Sequence, residues 1–507
     1  MKPADKVALN ITVQYVRICL TMGLTLFNIR LVLQALGAID YGIFNLIAGL
    51  ISMFAFFNGA MGASAQRFLS FHQGKKDVDK QRTVFTNSLL LHISIAIFIV
   101  IVLELVGLVL FDGFLKIPVA RLSASVLVYH SMCINMFFTI ITIPFISLLF
   151  AHENIVAIAL LNTIDIILKL LATIVLFWIT SDRLIIYSLL VCVLSLVGLL
   201  LAGLYCLKQY KECRIVNMKY ADKLLMKEMG AFTGWNLFGA LCSLARYEGL
   251  AILLNIFFGP IVNASLGLAS QIAGQLSVFS LTMIRVINPQ IVKSEGGNDW
   301  KRMLRLSMIA SKFSFFLLAC VAIPCIFEMR SVLTLWLKNV PEDSVIFCCL
   351  ILIGALINQL TIGVEAALQA VGKVASYQII VGLLLLCNIP IAYVLLNVKW
   401  PAYSVLVSYA LIELAACVVR LVLAKRIAGL SIQEYFSKVF APEIRPFLSL
   451  MLACFLITQC VFVKYRFLLT GTLSVIVFFT AIYFWGMSKS ERIIIRKNLE
   501  RLISKFR

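Results

Sequence analysis

The chain has 507 residues, of which 62% are hydrophobic and only 13% are charged, and its formal net charge is +20. A soluble protein of this length carries about twice that charged fraction, so the composition excludes an ordinary soluble enzyme. The apolar runs are about twenty residues long, which excludes a transmembrane β-barrel and predicts an all-α polytopic membrane protein.

Hydropathy predicts fourteen membrane spans in chain order. They cover residues 10–35, 41–65, 86–111, 122–150, 155–179, 184–207, 231–258, 261–286, 306–328, 343–370, 377–397, 402–424, 445–463 and 467–486. Of the 44 Lys and Arg residues, 30 fall on one side of these spans and 8 on the other. Positively charged loops face the cytoplasm, so both termini are predicted to be cytoplasmic. These loops explain the net charge without a nucleic-acid partner.

The first span carries a polar stripe among apolar residues. Its members recur every three or four positions and share one helical face. They are Asn10, Gln14, Arg17, Thr21, Thr25 and Asn28. A membrane helix with one polar face lines a cavity or packs against polar partners. Because the only charge in this stripe is cationic, the stripe predicts a polar, anionic ligand. Arg17 is the predicted phosphate contact; the alternative is a structural Arg that binds helix-end carbonyls or snorkels.

The chain repeats itself weakly with an offset of 222 residues. The matched pairs are Gly37 with Gly259, Gly74 with Gly296, Asp77 with Asp299, Gln14 with Asn236, and Thr21 with Ser243. Spans 1 and 7 both start in the predicted cytoplasm, so the repeat is parallel and relates two six-helix bundles by a pseudo-two-fold axis, with two further C-terminal helices. The predicted division is a bundle at 1–210, a linker at 211–230, a bundle at 231–425, a linker with two helices at 426–486, and a basic tail at 487–507.

Three segments carry a resemblance to a known family. The run RLVLQALGAIDYGIFNL (Arg30–Leu46) resembles the first-repeat signature of bacterial polysaccharide flippases of the multidrug/oligosaccharidyl-lipid/polysaccharide exporter superfamily. The segment LTLWLKNVP (Leu333–Pro341) and the turn Ala370–Lys373 are similar to its second-half features. The resemblance implies a V-shaped pair of bundles in the bacterial cytoplasmic (inner) membrane that moves a lipid-diphosphate-linked oligosaccharide to the outer leaflet. Related exporters of cationic drugs share the fold.

Polar and charged residues of the second half extend the predicted substrate site. Asn236, Ser243 and Arg246 repeat the stripe on span 7, and Arg246 is expected to face a central cavity opposite Arg17. The alternative for Arg246 is an ion pair with Glu248 or with another helix. Lys312, on span 9, is a further candidate phosphate contact, or a side chain that snorkels to the cytoplasmic end.

Acidic residues inside spans are candidates for coupling transport to H⁺ or Na⁺. Asp165 and Lys169 have the i, i+4 spacing of an intrahelical ion pair, which favours a structural role. The alternative is that Asp165 binds the coupling ion and Lys169 contacts phosphate. The lone acids that could also couple transport are Glu104, Glu365 and Glu413. Arg30 and Asp40 are expected to form a structural pair.

Further observations bound the chemistry. The 14 Cys and 4 His lack metal-ligand spacing, so neither a metal site nor a cofactor is predicted. No DxD, HExxH, GxSxG or P-loop motif accompanies the short outer loops, which disfavours a membrane enzyme of polysaccharide assembly. The tail Ser488–Arg507 has apolar residues at helical spacing among basic ones, typical of an amphipathic helix on anionic lipid.

The sequence therefore predicts a flippase for a polyprenyl-diphosphate-linked oligosaccharide. A multidrug or other small-molecule exporter of the same fold is the alternative. An exporter of cationic drugs is expected to have acidic residues in its cavity rather than Arg17 and Arg246. The expected partners are the lipid-linked substrate, membrane lipids and other membrane proteins of polysaccharide assembly.

Overall fold

The computed structural model describes residues 3–114, 117–213, 221–337, 340–341, 343–461, 465–489 and 491–493, with side chains described from residue 20 except at 22, 26, 55, 113 and 114. This part of the chain is helical and contains no strand. Its helices are α1 (Pro3–Ser52), α2 (Ala55–Gly74), α3 (Val78–Val109), α4 (Leu122–Ala151), α5 (Ile155–Val175), α6 (Arg183–Gln209), α7 (Lys223–Phe258), α8 (Pro260–Gly296), α9 (Trp300–Phe327), α10 (Met329–Leu337), α11 (Ser344–Gln359), α12 (Ile362–Val371), α13 (Val374–Leu386), α14 (Asn388–Asn397), α15 (Ser404–Ala428), α16 (Ile432–Tyr435), α17 (Ala441–Cys460) and α18 (Arg466–Ala481). The predicted all-α membrane protein is confirmed.

Twelve helices in the described ranges are long and apolar enough to cross a membrane, or thirteen if the bent pair α11 and α12 forms one span. The sequence-based number of fourteen treats residues 10–35 and 41–65 as separate spans. In the structure α1 consists of two helical segments that meet at Gly37 without a loop, and the predicted span 41–65 begins in α1 and continues into α2. The chain is thus a multi-pass membrane protein with one junction tighter than hydropathy predicts.

Two glycines at equivalent repeat positions adopt the same unusual backbone conformation. Gly37 has φ 80° and ψ 169°, and Gly259, between α7 and α8, has φ 81° and ψ −173°. Side chains disfavour this region so strongly that it is essentially confined to glycine. Each glycine therefore allows one long helix to turn directly into the next without a loop.

The chain forms two compact units. The first unit is Leu9–Leu237, and the second consists of Phe238–Arg507 together with Met1–Ala8. The first unit has a core of apolar side chains from α1, α3 and α4, with Ile47, Ile99 and Val128 almost fully buried. The second unit has a core on α9, α11 and α15 that includes Leu318 and Leu352. These cores hold the polar side chains described below in fixed positions.

The two C-terminal membrane helices pack into the core of the second unit. Leu450 of α17 and Phe478 of α18 are fully buried in the same cluster as the α9 side chains. The ring of Phe478 lies edge-on to Phe316 of α9, with centroids 5.9 Å apart. At the start of α18, Arg466 Nε donates to Glu328 Oε1 at 2.7 Å, and Thr470 donates to the same carboxylate. α17 and α18 therefore belong to the second unit.

Candidate functional site

Helix α15 brings two charged side chains into the interior of the second unit. Glu413 and Arg420 are seven residues apart, so both lie on one face, and only 3% and 4% of their surfaces are exposed. Tyr409, one turn before Glu413, shares this face. Buried charges within a membrane-spanning bundle are costly and require partners from neighbouring helices.

Arg246 of α7 is the partner of Glu413. Its Nη2 lies 2.8 Å from Glu413 Oε1, and both side chains are buried. The Nδ2 of Asn358, at the end of α11, donates to Glu413 Oε2 at 3.3 Å. The Arg246 guanidinium also lies over the Tyr409 ring, 4.3 Å from its centroid. One carboxylate thus joins three helices, and an aromatic ring supports the cation.

Arg246 keeps buried donors that this pair does not use. Its Nε and Nη1 have no hydrogen-bond partner within the described ranges, and neither does Nε of Arg420. A guanidinium presents its donors as a planar fork that matches a carboxylate or phosphate. Unpaired buried donors are expensive, and these two nitrogens of Arg246 can still donate hydrogen bonds.

Helices α11 and α12 meet at a 46° bend beside this cluster. Arg420 Nη1 donates to Thr361 Oγ1 at 3.4 Å, and the hydroxyl of Tyr435 donates to the Leu360 carbonyl at 2.6 Å. A Cβ added at Gly363 would clash with the backbone carbonyl of Ser307, so α12 packs on α9 only with glycine there. A bend leaves backbone carbonyls without helical partners, and at Leu360 the Tyr435 hydroxyl supplies the missing donor.

The remaining predicted residues of the second half lie at separate positions. Lys312 is 5% exposed, and its Nζ binds both carboxylate oxygens of Glu491, at 2.9 and 2.8 Å. Glu365 accepts a hydrogen bond from Gln369 one turn later and interacts electrostatically with Arg420. Ser243 donates to the carbonyl of Gly239 in its own helix. Roles in substrate binding or ion coupling stay predictions for these residues.

In the first unit, the predicted polar residues of α1 and α5 partly meet. Asp165 and Lys169 form the expected intrahelical pair, with Nζ 2.8 Å from Oδ2 and both side chains a third or more exposed. Asn28 of α1 accepts a hydrogen bond from Thr173 Oγ1 at 2.8 Å, one turn beyond Lys169. Thr21 is half-buried on α1. Part of the first-span stripe therefore packs against α5.

Other predicted site residues stay untested. Asn236 is buried, and its Nδ2 donates to the Phe232 carbonyl. The side chains of Gln14 and Arg17 lie outside the described residues, as does most of the tail 487–507. Their predicted roles stay predictions.

The structure contradicts the expected Arg30–Asp40 pair and the interpretation of Glu104 as a lone acid. Asp40 does not pair with Arg30, which is exposed; its Oδ1 accepts from Nε of Arg121 at 2.8 Å. Arg121 also binds Asp182, so it joins α1 to the start of α6. Glu104 is not a lone acid, because His130 Nδ1 lies 2.8 Å from its carboxylate. In each case the partner comes from a distant segment.

The sequence reasoning missed most of the buried cluster around Arg246. Arg420, Asn358 and Thr361 were not selected, and Glu413 was noted only as a lone acid. A signal existed in the run INQLTIG, where three polar residues interrupt an apolar span before a glycine. Such an interruption in a transporter span indicates a discontinuous helix.

Comparisons with known proteins identify the fold. No protein-family model matches the sequence, and no curated protein matches it. A multidrug resistance MATE family transporter of the MOP superfamily, in its outward-facing conformation, is similar with a TM-score of 0.71 and 12% identity, over 85% of this chain and 96% of that chain. MATE in the straight conformation gives 0.71 and 12%, over 85% and 97%.

A third similar structure is a MOP superfamily transporter from Pyrococcus furiosus, with a TM-score of 0.71 and 11% identity over 85% of this chain and 98% of that one. It is described as having a binding pocket of reverse polarity that suggests a different function. The chain therefore has the fold of the MATE transporters of the MOP superfamily.

Proposed function

We propose that this protein is a transporter that flips a polyprenyl-diphosphate-linked oligosaccharide from the inner to the outer leaflet of the bacterial cytoplasmic membrane. The observation that carries the proposal is the pair of unused buried donors on Arg246, beside its ion pair with Glu413. A diphosphate would satisfy those donors with charge-assisted hydrogen bonds.

Competition at Arg246 supplies a switch between two states. In the described state Glu413 binds Nη2 of the Arg246 guanidinium. A phosphate that takes Arg246 leaves Glu413 as a buried carboxylate with only the Asn358 amide, which favours uptake of H⁺ or Na⁺. Binding of phosphate at Arg246 and uptake of a cation at Glu413 would thus be linked, because each stabilises the state in which the ion pair is broken. Asp165 and Glu365 are the other proposed coupling sites.

The polar stripe of α1 supports a second phosphate contact. Arg17 lies in the same stripe as Thr21 and Asn28, and the Arg side chain stays protonated in a dry site. We propose that Arg17 binds substrate phosphate in the first unit, with Lys169 as a further cation. Membrane lipids and other membrane proteins of polysaccharide assembly are the proposed partners.

A multidrug exporter is the second candidate. Similar structures include a multidrug resistance transporter, and the acids Asp165 and Glu413 would attract a cationic substrate. The two candidates differ in the sign of the substrate charge. Loss of Arg246 removes a contact from an anionic substrate but removes a repulsive charge from a cationic one.

Transport by proteoliposomes tests the proposal. The full chain is reconstituted, and translocation of a fluorescent polyprenyl-diphosphate glycan is compared with that of a lipophilic fluorescent cation. Losing one charge-assisted contact to phosphate, worth roughly 1.5–3 kcal/mol, weakens substrate binding about tenfold to a hundredfold. We expect this loss in Arg246→Ala and Arg17→Ala, partial retention in Arg17→Lys, and no change in Arg330→Ala, an exposed control. Glycan transport that survives the double Arg17→Ala, Arg246→Ala variant would contradict the phosphate role, and cation transport alone would establish the second candidate.

A further inference from the structure

An apolar cavity of about 430 Å³ lies inside the second unit, between α9, α11 and α17. Its walls include Phe315, Ile323, Leu356, Leu360, Phe447 and Met451. Neither Arg246 nor Glu413 lines this cavity, so it is separate from their ion pair. Most of its surface suits an aliphatic chain.

One carboxyl group is buried in this apolar wall. Glu443 of α17 lines the cavity and is 2% exposed. Neither of its carboxylate oxygens has a hydrogen-bond partner among the residues that the structure describes. An unsatisfied buried carboxyl is costly, and native structures rarely retain one without a use.

The nearby cation, Lys312, forms no hydrogen bond with Glu443. Lys312 of α9 interacts electrostatically with Glu443, but its ammonium is bonded to both oxygens of Glu491. The other residues that line the cavity are Phe, Ile, Leu and Met, which offer no side-chain donor. A bound molecule that carries hydrogen-bond donors would satisfy both oxygens of Glu443.

The cavity reaches the surface of the unit. Ile353 of α11 and Ile444 of α17 both line it, and they are 38% and 50% exposed. Both are apolar and belong to helices that cross the membrane, so the opening favours entry of a molecule dissolved in lipid over one dissolved in water.

We propose that this cavity binds a lipophilic primary amine. The alkyl body fills the apolar space, and the ammonium group donates hydrogen bonds to the two oxygens of Glu443. An ammonium carries three donors and a charge opposite to that of a carboxylate, so it satisfies both oxygens at once. An alcohol offers one neutral donor, and a fatty acid brings a second negative charge. Binding does not depend on the transport proposed above.

Dodecylamine and dodecanol are the probes, since they share a chain and differ in the head group. Each is titrated into the detergent-solubilised full-length chain, and binding is followed by native mass spectrometry. We expect dodecylamine to bind the unmodified chain at least tenfold more tightly than dodecanol. Glu443→Gln keeps the size of the side chain and should weaken dodecylamine about tenfold to a hundredfold while leaving dodecanol unchanged.

Two further variants make the result specific. Glu434→Gln changes an exposed carboxyl on α16 that pairs with Lys438, and it should leave both affinities unchanged. Ile353→Trp narrows the opening and should reduce binding of both probes. Equal affinities of the two probes, or dodecylamine binding that is insensitive to Glu443→Gln, would overturn the proposal. If Glu443→Gln does not fold, undiminished dodecylamine binding by Ile353→Trp overturns it instead.

Discussion

Lys76 and Asn298, 222 positions apart, have the same left-handed backbone conformation, with φ of 60° and 58°. Each ends a helix in the same way. The N–H of the following Asp77 donates to the His72 carbonyl, and that of Asp299 donates to the Ser294 carbonyl. The hydrogen bonds at the two turns match one for one, so the sequence repeat is also a repeat of backbone geometry.

The aspartates of these two turns should contribute equally to stability. Asp77 Oδ1 accepts from the Lys80 amide at 3.0 Å, and Asp299 Oδ1 accepts from the Arg302 amide at 3.0 Å. Loss of such an N-cap costs about 1 kcal/mol. We expect Asp77→Ala and Asp299→Ala each to lower the free energy of unfolding by this amount in detergent. The exposed control Lys301→Ala should change it by less than about 0.5 kcal/mol, and a cap effect confined to one turn would contradict the equivalence.

The two helix-breaking glycines give a second prediction. Gly37 and Gly259 have φ near 80°, where a Cβ is strained. Gly37→Ala and Gly259→Ala should each destabilise the protein by about 1–3 kcal/mol. Gly42→Ala and Gly267→Ala are matched controls, because both sit within helices with open space around the Cβ position. These controls should be neutral or slightly stabilising, since alanine favours helix. Thermal unfolding of the four variants makes the comparison.

Cysteine labelling tests the predicted orientation. In a variant without native cysteines, Asn339→Cys should react with a membrane-impermeant maleimide added outside intact cells, and Gly74→Cys should not. The physical reason is the excess of Lys and Arg on the side that contains residue 74. The opposite labelling pattern would reverse the orientation and place both termini outside.

The buried Arg246–Glu413 pair should show strong coupling. Removing one partner leaves an uncompensated buried charge, so Glu413→Ala should cost about 3–5 kcal/mol of unfolding free energy. The double variant Arg246→Met, Glu413→Leu should recover most of that loss. The exposed pair Lys438–Glu434 is the control, with an expected coupling of about 0.3–0.5 kcal/mol. Additive effects at Arg246 and Glu413 would show that the pair is not coupled.

The carboxyl of Glu212, three residues after the end of α6, predicts a dependence of stability on pH. Burial raises the pKa of Glu212, but hydrogen bonds from His152 and from the backbone outweigh burial and lower the pKa below its usual 4.5. A carboxyl with a lowered folded-state pKa stabilises the fold above about pH 4.5, and this contribution disappears as the pH falls through the folded-state pKa. Glu212→Gln should therefore be less stable than the unmodified protein at pH 7.

The difference in unfolding free energy should shrink as the pH falls below 4.5. The exposed carboxyl of Glu434 gives a control, because Glu434→Gln should show little effect at either pH. A Glu212→Gln difference that stays constant with pH would contradict the assigned role of the carboxylate.

The sequence by itself determined the all-α membrane fold, the repeat with an offset of 222 residues and the intrahelical Asp165–Lys169 pair. Apolar runs near twenty residues need no tertiary information, because the thickness of the bilayer sets their length. The equivalence of Gly37 with Gly259 follows from a fixed offset, and the Asp165–Lys169 pair follows from the rise and turn of one helix.

Only the tertiary structure decided which distant charges meet. Arg246 and Glu413 are 167 positions apart, and Asp40 and Arg121 are 81 apart. Such contacts depend on the rotation and packing of each helix against its neighbours, which single-sequence periodicity does not specify. The sequence likewise did not show that Glu443 has no hydrogen-bond partner among the described residues, because the neighbours of an acidic side chain are set by tertiary packing.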